Sequence, residues 1–440
     1  MSRPDSSPPN IIYLHSHDTG RLIQPYGYAA PAPNLQRLAE EGMLFRQAYC
    51  AAPTCSPSRA ALLTGQAAHS SGMLGLAHRG FRLHDLRQHL VHTLRAHGYH
   101  TVLAGTQHVV PAAEVETLGY DRAPERPRGA AAEVAPAAAD FLRNSPPTPF
   151  FLDVGFSETH RDFPPPSEAL APAYLRPPAP LPDTPETRAD MAGYLTSLAA
   201  LDKGIGMVLD ALDAAGLAGN TLVIYTTDHG PAFPGMKCNL TDHGIGVALI
   251  LRGPGGFRGG KVSDALVSHI DLFPTLCELI GAARPPWLQG ESLLPLAAGT
   301  QTEVRDAVFA EVTYHAAYEP QRAVRTRRYK YIRRYGSRRL PVLPNCDDSP
   351  SKELWLRHGW AEREQPVEQL YDLVFDPNES CNVVEQPGYA PALAELRSRL
   401  DAWMAATEDP LRAGDVPAPP GAQVNDPAGR SPREPVRTLT

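Results

Sequence analysis

The chain has 440 residues, 42% of them hydrophobic, and a formal charge of −7, enough for a large core plus a smaller unit and too acidic overall for a nucleic-acid binder. Its opening, "MSRPDSSPPN", lacks the basic and apolar regions of a secretion signal, and no apolar run approaches the roughly 20 residues that span a bilayer. A soluble cytoplasmic protein is therefore expected.

In chain order, short β-prone runs alternate with helical ones over the first 280 residues. "NIIYLHSHD" (10–18) reads as a buried strand and Pro33 to Glu41 as a helix. In "CSPSRAALLTG" (55–65), Ser56 suits an N-cap, Pro57 the first helical position and Gly65 a stop. Cys55 then stands at a helix N-terminus, where free N–H groups favour an anion, with Arg59 one turn on able to point back at it. The same spacing also suits a capped helix with a buried thiol, or a disulfide to Cys50. Leu83 to His97 reads as a helix, "HTVLAGTQH" (100–108) as a strand, Ala130 to Arg143 as a helix and "PFFLDVGFSETH" (149–160) as a strand. A stiff proline-rich surface loop (162–185) leads to a long helix from Pro185 to about Ala215, with Thr184 as N-cap and Gly216 as stop, and then to the strand "TLVIYTTDHG" (221–230).

Such alternation predicts an α/β fold: a large, mostly parallel sheet with helices on both faces, spanning residues 1–300. A smaller antiparallel sheet with the helix "APALAELRSRLDAWMAAT" is expected over 301–408, and a disordered proline-rich tail over 409–440. The basic run "RTRRYKYIRRYGSRR" (325–339) reads as an exposed hairpin with a solvated charged face. The six cysteines form no CxxC pair and no dense framework, which fits a reduced compartment.

The strands end in His17-Asp18, His108, His160 and Asp228-His229, all at carboxyl ends, where open α/β sheets bind ligands. Two acidic residues with two adjacent histidines match the needs of a divalent metal.

"CSPSRAALLTG" resembles the Cys-x-Pro-x-Arg signature of the type I sulfatases, of the alkaline-phosphatase-like superfamily. "NIIYLHSHD", "RAVRTRRYKYI" and "EQLYDLVFDPNESCNVV" resemble sulfatase segments too. Within the family, "TCSPSRAALLTGQAAHSSGMLGL", "SETHRDF", "FPGMKCNL" and "LDAWMAATEDPL" are similar to the heparan N-sulfatases, or sulfamidases. The resemblance implies that Cys55 is converted to Cα-formylglycine, a hydrated aldehyde that acts as nucleophile and faces the metal. It implies Asp18, Asp228 and His229 as metal ligands, with His17 where an aspartate is usual. Arg59 would fix the hydrate, His108 act as base, His160 contact sulfate and leaving group, and Lys237 bind a sulfate oxygen. Thr106 stands where a lysine is usual. The metal would be one divalent ion, calcium by family default, with Mn²⁺ or Zn²⁺ better tolerated by a site with two imidazoles than by the family norm.

In the family mechanism one hydroxyl of the hydrate attacks sulfur while His160 protonates the departing atom; His108 then takes the second hydroxyl's proton and sulfate leaves. The 162–185 loop is expected to wall the pocket. Of Glu311, His315 and Arg322, ordinary surface residues on their own merits, His315 is carried forward as substrate-binding. Expected partners are a sulfated sugar or other sulfated small molecule, a formylglycine-generating enzyme during maturation and a second copy of the chain, with no nucleic acid and no membrane. The rival readings are a phosphodiester or phosphonate monoester hydrolase of the same superfamily, and a degenerate sulfatase fold that binds sulfated ligands without turnover.

Overall fold

The computed structural model describes residues 7–124, 129–168 and 170–439; most of the polar opening read for a secretion signal lies outside them. A seven-stranded sheet forms the centre. Its strands are β1 (Asn10–Ser16), β2 (Met43–Tyr49), β3 (His100–Gly105), β4 (Phe150–Gly155), β5 (Thr221–Thr227), β6 (Leu249–Arg252) and β7 (Lys261–Ser268), in the order β3-β4-β1-β5-β6-β2-β7. Only β6 runs against its neighbours. β1 lies between β4 and β5 and is buried along its whole length. Successive side chains point to opposite faces, so Ile11 and Tyr13 join one core layer while Ile12 and Leu14 join the other. Helices Pro33–Glu41, Ala131–Arg143 and Pro185–Ala214 cover the second layer, and Cys55–Thr64 and Leu272–Ile280 the first. That double cover is why these strands are near-continuous apolar runs.

A second, antiparallel sheet holds β8 (Ala307–Tyr314), β9 (Tyr318–Thr326), β10 (Tyr329–Arg334) and β11 (Glu368–Asp372) in the order β11-β10-β9-β8. Helix Ala390–Ala406 covers it, setting Leu393, Leu396, Leu400 and Met404 at helical spacing against Val324, Tyr331 and Leu370.

Several expectations change. The Cys55 helix has Thr54 as its N-cap; Ser56 instead accepts a bond from the Ala77 N–H at 3.0 Å. Gly65 does close the helix, in the left-handed region at φ 67°. The helix expected over 83–97 is confined to Leu90–Ala96, preceded by a single tight turn at Leu86–Gln88. Thr184 caps the long helix through a capping box with Thr187.

The basic run is a hairpin with Arg327, Arg328 and Arg338 exposed, but its inner face is not solvated. Lys330 and Arg325 are buried, with Lys330 2.5 Å and Arg325 3.2 Å from the Asp242 carboxylate of the large sheet's domain. Glu311 and Arg322 are likewise buried: Glu311 lies 2.9 Å from His69, and Arg322 2.5 Å from Asp409. The tail beyond Asp409 is not disordered over its described length. Val416, Ala418 and Ala422 are buried, the Tyr314 hydroxyl donates to the Val416 carbonyl at 2.7 Å, and β12 (Gln423–Val424) pairs with β13 (Arg437–Thr438). Prolines bar a long ladder there, yet the small apolar residues between them still pack. Among the described residues no helix is long and apolar enough to cross a membrane.

Candidate active site

Strands β3, β4, β1 and β5 are consecutive in the sheet, so the four polar strand ends of the sequence reading share one edge. Just beyond β1, Asp18 sits in the left-handed region at φ 52°; beyond β3, His108 does so at φ 60°. Such backbone is uncommon for side-chain-bearing residues and costs free energy that the surrounding packing must offset.

The Cys55 helix is buried at every position, which brings its first residue under the sheet edge. Cys55 Sγ lies 3.5 Å from His229 Nε2. Burial pushes the Cys55 thiol well above its ordinary pKa, so an unmodified Cys55 is a neutral thiol. It is also free, as is Cys50, which disposes of the disulfide reading. Arg59 bridges the strand ends, donating to the Ser16 carbonyl at 3.1 Å and to Asp228 Oδ2 at 3.2 Å, with His15 Nδ1 on its other nitrogen.

His17, Asp18, Cys55 and Asp228 each offer one ligand atom within 4.8 Å of the others. His229 borders this group: its Nδ1 is 2.9 Å from the Gly230 carbonyl, and a neutral imidazole so held turns the Nε2 lone pair inward, 3.3 Å from Asp18 Oδ1. His17 Nδ1 is 3.1 Å from Asp228 Oδ2, but without hydrogen-bond alignment, and Asp18 Oδ1 has no hydrogen-bond partner at all. Acceptors thus face acceptors in a buried space, an arrangement that a cation resolves and a hydrogen bond does not. Burial holds His17 down to about 3, neutral and fit to ligate. Burial alone would raise the Asp228 carboxyl, yet the Arg59 guanidinium at 3.2 Å counters it and the group lies well below its ordinary pKa.

Lys237 Nζ stands 2.9 Å from Asp18 Oδ2 and 3.0 Å from Asp347 Oδ2. Burial would lower its pKa, but the two carboxylates raise it well above the ordinary value. Three carboxylates, Asp18, Asp228 and Asp347, then face two fixed cations, Arg59 and Lys237. A divalent ion turns that net charge of minus one into plus one, which suits an anionic ligand.

A cavity of about 670 Å³ opens beside these groups, with His17, Thr106, His108, His160, Asp162 and Pro164 in its wall. The last two come from the proline-rich loop. His160 is 39% exposed and its Nε2 is 3.9 Å from Asp18 Oδ2, so it bridges cavity and buried cluster. His108 is held well below its ordinary pKa by burial and by its histidine and arginine neighbours.

With that geometry fixed, similarity to known proteins decides the family. A sequence model named "Sulfatase" matches residues 9–282. The chain belongs to the sulfatase family. As a sulfatase it is a sulfuric ester hydrolase. A second model, "N-sulphoglucosamine sulphohydrolase, C-terminal", matches residues 237–354 of this sulfatase. Human N-sulphoglucosamine sulphohydrolase is 31% identical, with 92% of this chain and 91% of the human protein covered. An ulvan-active sulfatase of Formosa agariphila is 28% identical, with 91% and 75% covered. A solved structure in complex with its substrate D-glucosamine-2-N,6-O-disulfate shares the fold, with a TM-score of 0.73 at 19% identity and 92% and 99% coverage.

All ten site residues read from the sequence lie in or around this cluster. His315 is the outlying one, buried in the turn between β8 and β9, where Lys237, Asp347 and His229 are its charged neighbours. Two residues of this sulfatase site escaped the sequence reading. His78, on a tight turn, sets its Nδ1 3.0 Å from His108 Nε2, and Asp347 reaches Lys237 from the second domain. Neither carries a strand-end or motif signal; each reaches the site through tertiary packing alone.

Proposed function

We propose that the enzyme hydrolyses the N-sulfate of a glucosamine-type sugar, taking a sulfamate and water to an amine and sulfate. The observation that supports this reading best is the buried cluster in which His17, Asp18 and Asp228 surround Cys55 with acceptors facing inward, Arg59 and Lys237 at its edges. A formylglycine made from Cys55 supplies the attacking hydroxyl once hydrated, and a divalent ion supplies Lewis-acid stabilisation of sulfonyl oxygens. Two carboxylates and two imidazoles suit Mn²⁺ or Zn²⁺ as well as the calcium of the family default.

The chain's own groups do the rest. Arg59, held between His15, Ser16 and Asp228, presents a fixed guanidinium at residue 55. Lys237 offers Nζ to a sulfonyl oxygen, countering charge that spreads there as the bond to sulfur breaks. His160, at the cavity mouth, protonates the leaving atom. His108, held well below its ordinary pKa by loss of solvation, takes a proton from the nucleophile's second hydroxyl, and His78 at 3.0 Å can pass it outward.

The test is mass spectrometry of the tryptic peptide 47–59, from protein made with a formylglycine-generating enzyme, followed by assay on N-sulfoglucosamine. A formylglycine mass at Cys55 and release of sulfate are expected. An intact thiol in protein that nonetheless turns over would overturn the nucleophile assignment, and an intact thiol without turnover would favour a binding protein.

A further inference from the structure

The second domain enters the site at two residues, and one of them bears on the leaving group. Asp347 lies just beyond the short turn Leu343–Asn345, ahead of helix Pro350–Arg357. Its Oδ2 is closed to solvent and 3.0 Å from Lys237 Nζ, yet makes no aligned hydrogen bond. His315 Nδ1 is buried and unpartnered in the same way. The charges that bear on Asp347 are those of Lys237, His160 and His315. Lys237 Nζ and His160 Nε2 both face Asp18 Oδ2, at 2.9 and 3.9 Å, so Asp347 stands on the lysine that shares Asp18 with the expected acid of the departing atom. A carboxylate beside a sulfate pocket repels the substrate's own charge, and Lys237 already has Asp18 as a partner at 2.9 Å. An acceptor whose only partner is a shared, unaligned ammonium keeps capacity for a donor on the ligand.

We propose that Asp347 selects the leaving group: its carboxylate accepts a hydrogen bond from the N–H of a sulfamate, which the bridging oxygen of a sulfate ester cannot offer. The inference rests on the sulfamidase reading above. His160 protonates the sulfamate nitrogen ahead of S–N cleavage, so the nitrogen carries positive charge until the electron pair of the breaking bond passes to it and leaves a neutral amine. The free amine then takes a further proton from water and becomes an ammonium ion, while sulfate carries the oxygen taken from water. Positive charge thus grows beside Asp347 along the sulfamate path, whereas an ester releases a neutral alcohol there. A carboxylate stabilises the first path more than the second, which is discrimination at the transition state.

The experiment compares the formylglycine-bearing enzyme with its Asp347→Asn and Asp347→Ala variants on N-sulfoglucosamine and on 4-nitrophenyl sulfate, with glucosamine as a product inhibitor. The ratio of kcat/KM for sulfamate over ester is expected to fall about 10- to 100-fold in both variants, as for loss of a charge-assisted hydrogen bond. Inhibition by glucosamine should weaken about 10-fold on the same ground, while inhibition by the uncharged N-acetylglucosamine keeps its strength. Activity remaining on the ester shows that a variant is folded. Equal losses on both substrates, with glucosamine inhibition intact, would mean that Asp347 only holds Lys237 and would sink the proposal. A wild-type enzyme that cleaves the ester and leaves the sulfamate untouched is a different failure, that of the sulfamidase reading itself.

Discussion

Lys237 and Asp242 are five residues apart in sequence, yet the buried charges around them are arranged on opposite principles. Around Asp242, where the second sheet meets the first domain, unlike charges meet: Lys330 at 2.5 Å, Arg325 at 3.2 Å, and Glu379, 3.0 Å from Lys330, whose other oxygen accepts from the Asp242 N–H. Nearby, Arg322 sits between Asp409 at 2.5 Å and Glu311 at 3.3 Å. At the sheet edge, by contrast, His229 Nε2 faces Asp18, His17 faces Asp228 without alignment, and Asp18 Oδ1 is left without a hydrogen bond. A buried charge tolerates the interior only when compensated. The junction, although Glu379 Oε1 and Glu311 Oε2 there also lack an aligned hydrogen bond, sets a cation against every carboxylate from within the chain and so reads as structure. The sheet edge leaves compensation to an ion and a substrate, and so reads as chemistry.

If that contrast is right, substitutions should divide cleanly between activity and stability. The largest effect belongs to Cys55→Ala, expected to lower kcat by a factor on the order of 10⁶, as removal of a nucleophile does, with little change in Tm. A residual rate within tenfold of wild type on 4-nitrophenyl sulfate would place the nucleophile elsewhere. At the junction the order reverses. Lys330→Met strands Asp242 and Glu379 and should cost about 3–5 kcal/mol in urea unfolding, while the protein that stays folded retains its kcat; a cost below about 1 kcal/mol would show that the pairing carries little.

Metal removal should fall between the two. Dialysis against a chelator is expected to lower Tm, and titration with Mn²⁺ or Ca²⁺ to restore it, worth about 2.7 kcal/mol at a hundredfold excess over Kd. Asp228→Asn should abolish that metal-dependent shift. Calorimetry showing the same Tm with and without every divalent ion tried would remove the metal from the site.

The sequence made the sheet edge legible because buried parallel strands are continuous apolar runs, and the polar residues that close them stand out. Four such runs happen to be the four adjacent strands β3, β4, β1 and β5. It did not make β2, β6 and β7 legible: β6 is four residues long, and β7 begins with exposed Lys261 and Val262. The basic hairpin was misread for a related reason. Alternation along β9 and β10 reports which side chains share a face, but not that Asp242 and Glu379, distant in sequence, cover it. Asp347 and His78 were invisible on the same ground, since no local pattern says that a loop of the second domain ends beside Lys237.

The finest test of the contrast is Glu379. Burial raises its carboxyl to about 7, with Lys330 pulling it down and Asp242 pushing it up. Lys330 therefore sustains one ionised partner, Asp242, whose carboxyl the surrounding cations hold low, and the second carboxyl stays protonated until near neutrality. The folded state then holds a proton that the unfolded chain has already released, since an ordinary glutamate titrates near 4.5. Stability from this group is full below about pH 4.5 and is lost as pH rises through about 7. Glu379→Gln removes the titration, so its unfolding free energy should decline less than that of wild type between pH 5 and 8, by about 1–2 kcal/mol. Parallel pH profiles would mean that Glu379 is ionised throughout and that Lys330 compensates two carboxylates at once. The junction would then balance two carboxylates, Asp242 and Glu379, against two cations, Lys330 and Arg325, and its neutrality would come from ion pairs alone with no held proton.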